Sequence, residues 1–223
     1  MLQVIASIWQ KYGYVYIQGA WGTVYIAVLT VVFGTILGTL LTFVRLSRSK
    51  ILQNIIKAYV WVLRGTPALL QIYFFYFFVP KYIPFEMSER ACIILALVVN
   101  ASAYVEEVIR AGIEAVDRGQ TEAARSLGMT PRHTMFRIIM PQAIKNILPA
   151  LGNEFIVMIK EASLASIFFI VEITSAFKTV QSATFITIPA LMISGAEYLL
   201  LTTLLSQLMK LVEKRLKRND SRQ

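Results

Sequence analysis

Long apolar runs separated by short polar and basic stretches set the pattern of this chain. The first run, 12–44, holds no charged residue over 33 positions. A helix needs ~20 apolar residues to cross a bilayer, so this run supplies a crossing with an interfacial extension. Arg45, Arg48 and Lys50 stop it. A second run, 58–79, is interrupted by Arg64-Gly65-Thr66-Pro67, and Pro80, Lys81 and Pro84 make the following turn. Ser88 suits an N-cap with Glu89 in the first turn, opening a third run over 89–109. A fourth, 148–171, carries Glu154, Lys160 and Glu161; 177–187 reads as an amphipathic external connection; a fifth, 188–209, ends in a basic tail.

The pattern predicts an all-α integral membrane protein of one domain. Its five transmembrane helices lie near 18–44, 58–79, 89–109, 148–171 and 188–209. A mean hydropathy of +0.62 over 223 residues excludes an ordinary soluble domain. Continuous rather than alternating apolar runs argue against a β-barrel. At the N-terminus, no short apolar core with a basic flank and a small-residue cleavage site is seen, so the first crossing is expected to stay in place.

The net charge of +9 raises the question of nucleic acid, and its distribution answers it. Four Lys or Arg fall in 45–57, six in 110–145 and six in 210–222, out of 22. These three segments alternate along the crossings, as cytoplasmic loops should. The expected topology has the N-terminus outside and the C-terminus in the cytoplasm, with a cytoplasmic loop over 110–146. Cys92 is the one cysteine and His133 the one histidine, which excludes a disulfide framework and a His/Cys metal site. No nucleophile–base pair and no phosphate loop is present, so no catalytic residue is assigned.

Within the loop, Thr121 can cap a short helix starting at Glu122, and Gly128 suits its left-handed end. Thr130-Pro131 reads as the cap and first position of a second helix running to about Met140, with Pro141 blocking continuation. Small side chains at Ala123 and Ala124 would let a helix backbone sit deep in a partner's groove, with Arg125, Arg132 and Arg137 at its rim. A solvated loop with ordinary helix punctuation is the alternative.

Charged groups inside a membrane need a reason, because each costs roughly 2.5–3.5 kcal/mol at the bilayer centre. Glu154 and Glu161, seven residues apart, share one helix face at a rise of about 10 Å. Asn153 lies beside that face and Lys160 more than a quarter-turn away. Together they suit a polar cavity for a cationic side chain; an ion-pair network among Glu154, Lys160, Glu161 and Arg64 is the alternative. At 64–67, Pro67 disturbs the helix, and freed backbone groups with Thr66 and Gln71 either line a cavity or mark a packed kink. Glu106 and Glu107 stand four and three residues before Arg110, which predicts pairing within the helix. Asn100 lines the path or bonds across helices. Glu172 and Glu197 receive no assignment. The aromatic run 73–78 is read as lipid contact and packing.

The segment 122–141, EAARSLGMTPRHTMFRIIMP, resembles the cytoplasmic EAA signature of binding-protein-dependent ABC importer permeases, through Glu122, Ala123, Ala124, Gly128, Ile138 and Pro141. Arg64-Gly65-Thr66-Pro67, Arg110-Ala111-Gly112-Ile113, Pro141-Gln142-Ala143 and Lys160-Glu161-Ala162-Ser163-Leu164 are similar to the polar amino-acid branch of that family. Lys160-Glu161-Ala162 departs from the commoner Lys-Asp-Thr. The resemblance covers about 18–215.

It implies a non-catalytic permease subunit in the bacterial inner membrane, with five core helices. It also implies a second permease copy or homologue, and ATP-binding subunits that hold ATP and Mg and dock on Glu122, Ala123, Ala124, Arg125, Gly128, Met129 and Arg132. An external amino-acid-binding protein completes the expected partners. The substrate site would be built from Thr66, Gln71, Asn153, Glu154, Lys160 and Glu161, and its acids favour arginine, lysine or histidine. A stand-alone secondary transporter and a membrane scaffold protein are the alternatives.

Overall fold

The structure is a computed structural model that describes residues 1–84 and 86–220, with side chains described as far as 215. The described residues form helices joined by short connections, with no strand among them. In order these are α1 (Leu2–Arg45), α2 (Lys50–Gly65), α3 (Ala68–Phe77), α4 (Val79–Tyr82), α5 (Glu89–Glu114), α6 (Arg118–Ser126), α7 (Pro131–Thr134), α8 (Met140–Glu161), α9 (Ile173–Thr184) and α10 (Ile188–Asp220). A π-helical turn, Met135–Ile139, links α7 to α8, and a 3-10 segment, Ala162–Phe168, follows α8.

The long helix α1 is inside out by soluble standards. Trp21, Tyr25, Val32, Ile36, Leu40 and Phe43 recur at helical spacing on its exposed face. Toward its C-terminal end the buried face is small: Gly34 and Gly38 let α5 approach so closely that a Cβ at Gly38 would stand 2.7 Å from the Ser102 carbonyl oxygen. With no hydrophobic driving force between helices in lipid, this close backbone contact is the expected packing mode. Among the described residues, three helices are long and apolar enough to cross a membrane: Leu2–Arg45, Glu89–Glu114 and Ile188–Arg215. The bent pair α2 and α3–α4 makes a fourth if counted as one span.

Several helix bounds differ from the expected segments, each for a local reason. The helix of the first run begins at Leu2, because its N-terminal turns pack Ile8 and Tyr16 against Val180 and Ala190 of α9 and α10. The second run is not one straight helix. It turns through 106° at Thr66-Pro67, where Thr66 is extended as a residue before proline must be. Ser49, not a position near 58, opens α2 by accepting the Leu52 N–H.

At the other end, α8 reaches only Glu161, and the chain tightens through the 3-10 segment to Phe169 at φ 56°. Pro141 does not end the second loop helix. It falls in the first turn of α8, and the π turn leads straight into it, with the Met140 N–H reaching back to the Met135 carbonyl. The helix of the connection begins at Ile173, ahead of the expected 177.

Candidate functional site

The break between α2 and α3 exposes backbone carbonyls, and polar side chains occupy them. The Gln71 amide nitrogen donates to the carbonyls of Leu63 (2.8 Å) and Thr66 (3.2 Å) and to Thr66 Oγ1 (2.9 Å). Thr66 itself donates back to the Val62 carbonyl at 2.9 Å. Asn100 on α5 donates to Gln71 Oε1 at 3.0 Å. Gln71 and Asn100 are buried, so this triad fixes the bend and ties it to α5. The packed-kink reading of Thr66 and Gln71 accounts for these bonds, and Asn100 bonds across helices.

A cluster of charges sits where α1, α2 and α5 meet. Arg45 grips the fully buried Glu106 with bonds of 2.8 and 3.0 Å. Glu107 lies 3.7 Å from Arg45 and 3.5 Å from Arg64, and bonds Arg110 one turn on. Arg110 also holds Glu114. The Arg64 guanidinium lies 5.4 Å from the centre of the Tyr104 ring. The expected pairing of both acids with Arg110 therefore needs correction. Glu107 makes it; Glu106 reaches across to α1, where Arg45 donates to both of its carboxylate oxygens.

The α8 group is arranged differently. Glu154 and Glu161 are half-buried, and Asn153 and Lys160 are exposed. None of the four side chains makes an ion pair or hydrogen bond among the described residues. Arg64 is the cation whose field reaches Glu154. The expected alternative, an ion-pair network joining Glu154, Lys160, Glu161 and Arg64, is not formed within the chain: Arg64 pairs with Glu107 instead.

In the loop, Asp117 rather than Thr121 caps the first helix by accepting the Gly119 N–H at 2.7 Å, so α6 starts a turn earlier than expected. Gly128 ends it at φ 83°, with open space where a Cβ would point. Thr130 caps α7, and Pro131 takes its first position. Glu122, Ala123, Arg125 and Arg132 are exposed, Met129 is half-buried, and Ala124 is buried within the chain, so only one of the two alanines faces outward. Arg125 closes the loop by donating to the Met129 carbonyl. Sequence reasoning missed the largest apolar feature here: Leu127, 84% exposed, with Phe136 exposed nearby in sequence. A leucine wedged between Ser126 and Gly128, past the last helical turn, was the available signal.

Glu172, unassigned from sequence, is fully buried. It caps α9 by accepting the Thr174 N–H at 2.8 Å and takes the Tyr198 hydroxyl of α10 at 2.8 Å. Glu197 has one carboxylate oxygen buried without a partner among the described residues.

Residues 30–218 match the family model described as binding-protein-dependent transport system inner membrane component. The arginine transport system permease ArtQ of Bacillus subtilis is 36% identical over 204 residues, covering 92% of this chain and 93% of that protein. The nopaline transport system permease NocM of Agrobacterium fabrum is 36% identical over 200 residues, covering 86% and 83%. A solved structure of an amino acid ABC transporter with histidines superimposes with a TM-score of 0.88 at 40% identity, covering 92% of this chain and 95% of that one. A chain of the methionine ABC transporter MetNI shares the fold, with a TM-score of 0.75 at 16% identity. The chain belongs to the binding-protein-dependent inner membrane transport components, as an amino-acid ABC importer permease.

Proposed function

We propose that this chain forms half of the translocation path of an importer for cationic amino acids, with α8 as the substrate helix. The observation that carries this reading is the pair of acids on α8, Glu154 and Glu161, which have no ion pair among the described residues while Glu106 and Glu107 on α5 are paired. Desolvated, unpaired carboxylates persist in a membrane where they face a cavity or an incoming cation. Asn153 and Lys160 supply a polar contact and a cation for the substrate's backbone end. Thr66 and Gln71 border the path by holding the α2–α3 bend.

Five crossings fit this arrangement: α1, the bent α2–α3 pair, α5, α8 with its 3-10 extension, and α10. The basic segments then lie in the cytoplasm, with the N-terminus outside. The segment 110–146 faces the cytoplasm and docks an ATP-binding subunit through Glu122, Ala123, Arg125, Gly128, Met129 and Arg132, with Leu127 as its apolar contact. ATP hydrolysis resides in that subunit. A second permease, identical or homologous, completes the path, and an external binding protein delivers the substrate. Closure of the ATPase pair moves the loop, and α8, continuous with it through the π turn, tilts in response.

ATP-linked uptake of a labelled amino-acid panel by the reconstituted complex tests this reading. Preference for arginine, lysine or histidine is expected. Preference for acidic or apolar amino acids would refute the substrate class.

A further inference from the structure

A hollow of about 640 Å³ is lined by the 3-10 segment, the turn after it and α9, and neither α8 acid is part of its lining. Its lining includes Ser166, Phe169, Ser175, Lys178, Thr179 and Ser182, and no acid. Lys178 Nζ donates to the Ser166 carbonyl (3.3 Å) and to Ser166 Oγ (3.1 Å). An ammonium carries three donors, so one remains for a ligand. Accepting from Lys178 leaves the Ser166 hydroxyl hydrogen available, and the Ser182 hydroxyl makes no bond among the described residues. Ser175 and Thr179, by contrast, donate to the carbonyls of Ile170 and Ser175. Lys178 has no acidic partner among the described residues.

A second observation comes from the backbone. Phe169 adopts φ 56° and leaves its ring 93% exposed at the edge of the same hollow. A bulky residue in the left-handed region is an outlier that stability alone would replace with glycine, and such outliers gather at ligand sites. One positive charge, two free hydroxyl donors and an aromatic wall match a singly charged carboxylate attached to a small organic body. A phosphate, near two negative charges, would remain half-neutralised.

We propose that this hollow is a second binding site, taking the carboxylate end of a small amino or organic acid, distinct from the acidic stripe of α8. That the natural ligand is an amino acid on its way inward rests on the transport reading above; the site does not.

The test measures acylation of Lys178 by an amine-reactive ester in the reconstituted complex without nucleotide, read by peptide mass spectrometry, with Lys81 as internal reference. N-acetylglycine at roughly ten times its Kd should slow Lys178 labelling about tenfold, while N-acetylglycinamide and chloride leave it unchanged. Phe169→Gly, which relieves the backbone, should keep or raise the Tm of the complex and yet weaken the protection. Equal protection by chloride, no protection by the carboxylate, or protection only by anionic phospholipid or an acidic external protein would each overturn the proposal. Protection without ATP-linked uptake would sink the transport reading and leave this site standing; uptake without protection would do the reverse.

Discussion

Two groups of charges, built from the same residue types, are used in opposite ways. On α5, Glu106 and Glu107 are matched by Arg45, Arg64 and Arg110, and three helices are bound together as a result. On α8, Glu154 and Glu161 have no matching partner among the described residues and bind nothing together there. Pairing fixes a charge in place; its absence leaves the charge free to answer a ligand. On the proposed function, the contrast separates a rigid joint from the part of the path proposed to recognise cargo, and six substitutions sharpen or break it.

The largest effect is expected at Arg45. Arg45→Ala strands Glu106, which is fully buried, and breaking a buried pair this way costs about 3–5 kcal/mol. Thermal unfolding in detergent should show a collapsed Tm or loss of folded protein. A Tm near wild type would mean that the α5 cluster is not a structural joint.

Gln71→Leu comes next, because it leaves the carbonyls of Leu63 and Thr66 and the amide of Asn100 without their partner. A cost of about 1–3 kcal/mol is expected from unsatisfied buried groups, again read as Tm. An unchanged Tm would show that the bend holds itself.

Gly128→Asp, at a left-handed position with open space around it, should cost about 1–2 kcal/mol in stability. Copurification of the ATP-binding subunit should nevertheless fall sharply, and Leu127→Asp should behave the same way. Normal assembly of both variants would remove the loop from the docking account.

The smallest stability effect belongs to α8. Glu154→Gln and Glu161→Gln, which break no pair, should leave the Tm unchanged or raise it slightly, within about 1 kcal/mol. A large drop in Tm would place these acids in a structural role and erase the contrast with α5.

What could be read in the sequence was local. Ser88, Thr130 with Pro131, and Gly128 act within a few residues, so their capping and terminating roles follow from chain chemistry. The interruption at 64–67 was visible for the same reason, though the size of the bend was not. Thr121 is a sound cap by residue type, but Asp117, four residues earlier and not singled out from sequence, takes the role. Pro141 misled because a π turn before it removes the conflict that a proline would create in a regular helix.

The tie from Arg45 to Glu106 spans 61 residues and depends on how closely α1 and α5 approach, which no short pattern encodes. For the site, the α8 acids were legible as misplaced charges, whereas the hydrogen bonds that occupy Gln71 were not. The strained Phe169 gave no warning, since a phenylalanine in an apolar run looks like any other.

Uptake tests the central claim most directly. Wild-type complex and its Glu154→Gln and Glu161→Gln variants, matched for Tm and for bound ATPase, would be compared in vesicles for ATP-linked arginine uptake. Loss of a charged hydrogen bond to substrate predicts a fall of about tenfold or more at limiting arginine for at least one variant. Arginine uptake at the wild-type rate in both would contradict the assignment of α8 as the substrate helix.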